Sequence, residues 1–159
     1  MTKVALAIHA KENFNIEVIK SLEGLDYIHI DVMDGKFVNN TMLYLEIFPQ
    51  VKDISDLPVI AHLMVETPKD YLSKLKDFVD IFLFHFEITD NKKDLINLIK
   101  NQGKKVGIVL NPETEIDEIK LFLKEIDLIL IMGVHPGWSG QKFLPKTILK
   151  VNKLAEVPF

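Results

Sequence analysis

The chain contains no cysteine. That single absence removes disulfides, thiolate nucleophiles and cysteine-ligated zinc together, and it fits a reducing, cytoplasmic setting, which is the expected location. Glycine is also sparse, at 7 of 159 residues. None falls in Ala7-Ile8-His9-Ala10-Lys11, where a dinucleotide-binding fold would place a glycine-rich phosphate turn after its first strand. Long apolar runs are missing. The most hydrophobic stretch, LKDFVDIFLFHFE, is flanked by charges and far below membrane-spanning length. The start shows no cationic segment leading into an apolar signal core. Basic patches interleaved with aromatics are absent too, and the net charge of −4 disfavours broad contact with nucleic acid or acidic lipid. Neither nucleic acid nor a membrane is an expected partner.

What remains is ordinary material for a soluble globule, 48% hydrophobic and 26% charged, sized for one domain across residues 1–159. Short runs rich in Val and Ile alternate with longer amphipathic stretches. The pattern predicts strands over 4–8, 27–31, 58–64, 81–86, 105–110 and 128–132. Between them it predicts helices over 15–22, 44–51, 69–78, 92–102, 115–125 and 146–154. Thr67 then Pro68 reads as a cap and first helical residue, Asn111-Pro112-Glu113-Thr114 as a loop, and Gly103 as a helix terminator. Six strand–helix units with continuously apolar strands imply a parallel sheet covered by helices. Their spacing of roughly 25 residues is the rhythm of a (β/α)₈ barrel. Six units are not eight, and periodicity alone leaves an open, doubly wound sheet as the alternative.

Parallel α/β proteins keep their chemistry at the carboxyl ends of the strands. In the run His29-Ile30-Asp31-Val32-Met33-Asp34-Gly35, strand alternation sends His29, Asp31 and Met33 to one face and Ile30 and Val32 to the other. His62 and Met64 end the next strand, His85 and Glu87 the fourth, Asn111 the fifth and Met132 the sixth. Two imidazoles and one carboxylate from neighbouring strands suit a divalent transition metal. His85 and Glu87 either support that site or lie in a solvated loop, and His135 is evenly balanced between site and loop. His9 has no partner visible in the sequence. Asp34 reads as a turn former with Gly35. Met33, Met64 and Met132 either fill core gaps or line a pocket. The glycine-punctuated loop 136–141 offers backbone N–H groups to a phosphate, and its Trp138 either covers the pocket or packs on its own loop.

These residues resemble the ribulose-phosphate 3-epimerase family. The match runs through His29-Ile-Asp-Val-Met-Asp-Gly-Lys-Phe-Val-Asn-Asn40, Ala61-His-Leu-Met-Val65, Phe84-His-Phe-Glu87, Lys105-Val-Gly107 and Met132-Gly-Val-His-Pro-Gly-Trp-Ser-Gly-Gln-Lys-Phe143, in order and at matching spacing. The resemblance implies an isomerase built on a (β/α)₈ barrel of the ribulose-phosphate-binding type. It further implies one divalent ion (zinc, iron, manganese or cobalt) and interconversion of D-ribulose 5-phosphate with D-xylulose 5-phosphate in pentose phosphate metabolism. By position, His29, Asp31 and His62 match metal ligands, and Asp31 also matches one of two catalytic acid/base carboxylates. Met33, Met64 and Met132 match the pocket methionines, and Gly137, Trp138, Ser139 and Gly140 a substrate-phosphate loop.

Three departures from the family pattern stand out. The family's second catalytic acid lies in an Asp-Gly-Gly motif on a seventh strand, and the sequence ends at Glu156-Val157-Pro158-Phe159, where that strand is expected to start. Ala7 stands near the family's first-strand serine. Ser139 replaces a glycine, and His135 an acid or asparagine. The expected fold is therefore a barrel of about six βα units, incomplete at its C-terminal side. Its open edges should make it marginally stable, a homo-oligomer, or completed by another polypeptide. Alternatives are a non-catalytic remnant that keeps metal or phosphate binding, and an epimerase of another sugar phosphate. A barrel decarboxylase or aldolase is disfavoured, because Met33 and Lys36 break the Asp-x-Lys-x-x-Asp pattern from Asp31.

Overall fold

A computed structural model describes residues 2–156. The expected stop before a seventh strand falls, for residues 157–159, outside the described residues. Six parallel strands follow one another across a single sheet: β1 (Ala5–His9), β2 (Tyr27–Asp34), β4 (Val59–Met64), β5 (Ile81–His85), β6 (Lys105–Leu110) and β7 (Leu128–Ile131). A two-residue strand, β3 (Thr41–Met42), pairs antiparallel with the end of β2. It was not anticipated from the sequence, and its pairing carries β2 through Asp34, three residues beyond the predicted end.

Helices α1 (Glu17–Lys20), α2 (Ile47–Ile54), α3 (Lys69–Leu75), α4 (Lys92–Asn101) and α5 (Lys146–Ala155), with a 3₁₀ helix at Ile116–Glu125, fill the crossovers. The helix predicted over 44–51 starts instead at Ile47. That start puts Pro49 in the first turn, where its missing N–H costs nothing. The helix predicted over 15–22 shrinks to four residues. Thr67 does not cap α3 through its side chain; its hydroxyl donates to Asp70 at 2.9 Å. Asn91 does cap α4, accepting from the backbone N–H groups of Lys93 and Asp94. Gly103 follows α4 with φ +71°, the left-handed terminator expected. Lys150 on α5 is buried, and its ammonium donates to the carbonyls of Asn111, Pro112 and Thr114, pinning the helix to the loop after β6.

The two faces of the sheet differ. Alternate residues such as Ile28, Ile30, Val32, Phe82, Phe84, Val106 and Ile108 join helix residues Phe48, Leu72, Ile96 and Ile119 in one continuous core. The opposite face holds a smaller cluster, Ile60, Ile81, Leu83 and Val109, with Tyr27, Leu128, Leu130 and Met132 partly buried against it and no helical residue among them. Helices on one face only exclude the doubly wound alternative and define a half-barrel, whose inner face is the second one. Gly107 sits on that inner face because a Cβ there would meet Leu83 Cδ2 at 2.5 Å and the Leu128 carbonyl oxygen at 2.7 Å.

Candidate active site

Register builds the site. Asp31 on β2 pairs with His9 on β1 and with His62 on β4, so three strands present these side chains in one row on the inner face. His29 lies two residues before Asp31 on that same face. Ile30 and Val32, of opposite parity, are sealed in the helix-facing core. The alternation read from the sequence holds in the structure.

Asp31 is the hub. Its Oδ1 lies 3.0 Å from His29 Nε2 and 2.8 Å from His62 Nδ1. Its Oδ2 lies 3.9 Å from His9 Nε2, the partner the sequence did not reveal. Burial opposes ionisation of Asp31, yet the hydrogen bonds and charge interactions with His29 and His62 outweigh it and hold the carboxyl far below the usual range. His62, only 3% exposed, is pushed down to about 4, mainly by burial and against the pull of Asp31. At neutral pH it is therefore a neutral imidazole with a lone pair to offer. One donor atom from each of His29, Asp31 and His62 lies within 4.8 Å of the others. Two imidazole nitrogens and a carboxylate oxygen make a mixed N/O set that can hold a divalent transition metal.

Behind His62 the polar row continues. His62 Nε2 is 2.9 Å from His85 Nε2, with the rings stacked at 5.0 Å between centroids. His85 is fully buried, and its Nδ1 lies 3.4 Å from Glu87 Oε2. Glu87 Oε1 accepts from the Asn111 backbone N–H at 2.8 Å and from the Thr114 hydroxyl. The burial of His85 and the partial burial of Glu87 exclude a solvated loop for the pair. The Phe37 ring also packs against His85, tilted by 46° with centroids 4.7 Å apart.

A cleft of about 550 Å³ opens over the cluster. His29, Asp31 and His62 form part of its floor, with Met33, Met64 and Met132 lining it. Met33 and Met64 are buried against Val38, so these two both fill the core and face the cleft. Gly137, Trp138 and Ser139 line the opposite wall; Gly140, with φ +76°, is outside the lining. Trp138 is 61% exposed and borders the cleft without closing it. His135 borders it too, its Nδ1 3.7 Å from Glu113 Oε2. Asp34 stays outside the cluster as a turn former: Oδ1 accepts from the N–H groups of Lys36 and Phe37, and Oδ2 from that of Glu66.

Asn40, which the sequence reading leaves without a role, also reaches the site. Its side-chain amide donates to the Gly137 carbonyl at 2.7 Å and ties the glycine loop to the loop after β2. Gly137 has φ +111°, and a Cβ there would stand 3.1 Å from Val38 Cβ. An Asn-Asn pair directly before a two-residue strand was the available signal.

The profile of the ribulose-phosphate 3-epimerase family matches residues 3–158. The chain is 42% identical over 139 residues to the ribulose-phosphate 3-epimerase of Bacillus subtilis, covering 86% of this chain and 64% of that one. Against the Methanocaldococcus jannaschii protein of the same name it is 40% identical over 140 residues, covering 87% and 59%. Against that of Chlamydia trachomatis it is 37% identical over 148 residues, covering 92% and 62%. The aligned part therefore spans about three-fifths of each of these relatives. Among the described residues no helix is long and apolar enough to cross a membrane.

Proposed function

This chain belongs to the ribulose-phosphate 3-epimerase family, and from that membership we propose that it is an isomerase inverting C3 of a ketopentose phosphate, D-ribulose 5-phosphate to D-xylulose 5-phosphate. The observation that supports this reading most is the shared contact of Asp31 Oδ1 with imidazoles delivered by β2 and β4 at the carboxyl end of the sheet.

The proton on C3 is acidified by the neighbouring C2 ketone, and its removal leaves an ene-diolate. His29, Asp31 and His62 would hold a divalent ion, which supplies Lewis-acid stabilisation of the charge developing on the two oxygens. Asp31 remains ionised at neutral pH, since its carboxyl is held below the usual range. With Oδ1 engaged by the imidazoles, Oδ2 is the oxygen left to take the C3 proton on one face of the sugar. Met33, Met64 and Met132 present thioethers to a planar intermediate and exclude water without offering a competing acidic proton. Gly137, Trp138, Ser139 and Gly140 belong to the loop that would meet the phosphate through its N–H groups. Inversion requires a second proton carrier on the opposite face, and none is assigned among the described residues.

The test is exchange of the C3 proton of D-ribulose 5-phosphate with deuterium oxide, followed by NMR in the presence of Zn²⁺, Mn²⁺, Fe²⁺ or Co²⁺. Wild-type protein should exchange, and Asp31→Asn should lower the rate by about 10²–10⁴-fold. Exchange without appearance of D-xylulose 5-phosphate identifies a half-site with one working base. Metal binding without any exchange makes the chain a binding remnant and overturns the enzymatic reading, as does full exchange by Asp31→Asn.

A further inference from the structure

The loop between β7 and α5 is chemically one-sided. The carbonyls of Gly133, His135, Gly137 and Trp138 are all held by donors of the protein, whereas the N–H groups of Trp138 and Ser139 meet no acceptor among the described residues. We infer that Asn40 and Gln141 are positioning residues that set this polarity, each holding one peptide plane of the glycine loop so that the Trp138 and Ser139 N–H groups stay available to an anion. That the anion is the substrate phosphate rests on the function proposed above; the polarity itself follows from the hydrogen bonds of the loop.

The Leu144 N–H closes the neck of the loop, donating to the Gly133 carbonyl at 2.8 Å. Inside that neck two side-chain amides take the other three carbonyls. Gln141 Nε2 donates to His135 at 2.6 Å and to Trp138 at 2.8 Å. Facing two carbonyls, the Gln141 amide has one possible sense, because only its NH₂ group serves both. Asn40 Nδ2 donates to Gly137 at 2.7 Å. The sense of this amide is fixed as well: Asn40 Oδ1 accepts from the Thr41 N–H at 2.9 Å, and a backbone N–H can only donate. In a planar trans peptide the N–H points opposite to the C=O. Asn40 on the Gly137 carbonyl therefore turns the Trp138 N–H the other way. Gln141 on the Trp138 carbonyl does the same for Ser139. The His135 carbonyl precedes Pro136, which has no N–H, so that bond serves only to anchor the Gln141 amide. Gly137, Trp138 and Ser139 line the same cleft as His29, Asp31 and His62. Successive unpaired N–H groups in a loop gather partial positive charge and suit an anion with several acceptor oxygens.

The two tethers can be cut one at a time. Gln141→Met removes the NH₂ group at similar length, and Asn40→Asp keeps an oxygen for Thr41 but has nothing to donate. Residual dipolar couplings of the ¹⁵N-labelled, metal-free chain report the direction of each N–H. In the wild type the Trp138 and Ser139 couplings should fit the directions that the tethers impose. Gln141→Met should displace the Ser139 coupling and spare Trp138, and Asn40→Asp should do the reverse, with the couplings of β4 and β5 unchanged in both. Inorganic phosphate, titrated against chloride at equal ionic strength, should shift these two amide signals saturably in the wild type. Gln141→Met should weaken that binding about tenfold or more, the worth of one hydrogen bond to a charged group. Wild-type couplings that contradict these directions overturn the inference, and that measurement needs no variant to fold. A Ser139 coupling that survives Gln141→Met overturns it too, as does phosphate bound equally tightly by both proteins. If the couplings respond as expected yet phosphate leaves the wild-type amides unmoved, the polarity stands and the phosphate-loop reading is what fails. A merely structural Gln141 would lower the melting temperature and move neither the Ser139 direction nor the phosphate affinity.

Discussion

The helix-facing and inner faces of the same strands are made to different specifications. On the helix-facing side Phe82, Phe84, Ile28 and Ile30 are sealed with residues of α2, α3 and α4 in one apolar core. On the inner side, one residue along, Leu83 and Ile60 give way towards the carboxyl end to His62, His85 and Asp31, and the cluster there recruits no helix. Stability is concentrated on one face, leaving the other free to bury polar groups whose desolvation is offset by one another. The chain separates these tasks by residue parity alone.

Substituting neighbours of opposite parity is the most direct way to break that comparison. Phe84→Ala should cost about 3–5 kcal/mol, whereas Leu83→Ala should cost roughly 2 kcal/mol, the lower end for a buried leucine. Both are read from denaturant midpoints. Equal losses would mean that the inner face carries as much of the packing as the outer one.

A second measurement sharpens the electrostatic half of the contrast. His62 has a folded value of about 4 against 6.5 when free. The unfolded chain thus takes up a proton first as the pH falls. Stability from the neutral, buried ring is fully present above pH 6.5 and drains away towards pH 4, at no more than about 1.4 kcal/mol for each unit. Asp31, with its folded value depressed, adds a loss of the same sign only below the ordinary carboxylate range. Denaturation of metal-free protein at a series of pH values should show the slope, and His62→Gln should flatten it between pH 6.5 and 4. A slope unchanged in that variant would remove His62 as its source.

The smallest expected effect lies at the rim. Gly137→Ala places a methyl group against Val38 at a backbone angle that L-residues avoid. Strain of about 1 kcal/mol in the folded state should lower the melting temperature by about 2–4 °C, and on the proposed function a loop displaced at that cost on binding should raise KM for the sugar phosphate roughly fivefold with kcat nearly unchanged. An unchanged KM would separate this loop from substrate binding.

Much of this was legible in the sequence, and the limits have physical causes. Parity placed His29, Asp31 and Met33 on one face of β2, because strand alternation is geometric and local. The six strands were recognisable because continuous Val/Ile runs are what a sheet buried beneath helices requires. The His9–Asp31 approach was not, since it depends on the register between β1 and β2, which no local pattern encodes. Nor was β3, two residues long and defined solely by its pairing with Met33 and Asp34. The roles of His85 and Glu87 stayed ambiguous for the same reason: only the stagger of β4 against β5 brings His62 Nε2 to His85 Nε2. Helix ends were displaced where a single residue outweighed periodicity, as Pro49 does in α2.

The tether from Asn40 to the Gly137 carbonyl joins positions 97 residues apart. Closing so long a loop from a random coil would be entropically expensive, but once the intervening strands have zipped together its two ends are already neighbours, and the clasp forms at small additional cost. The rim of the cleft is therefore expected to form after the sheet. The part of the chain from β1 through β6 contains His29, Asp31 and His62, whereas the Gly137 wall of the cleft is supplied only by the segment beyond β7.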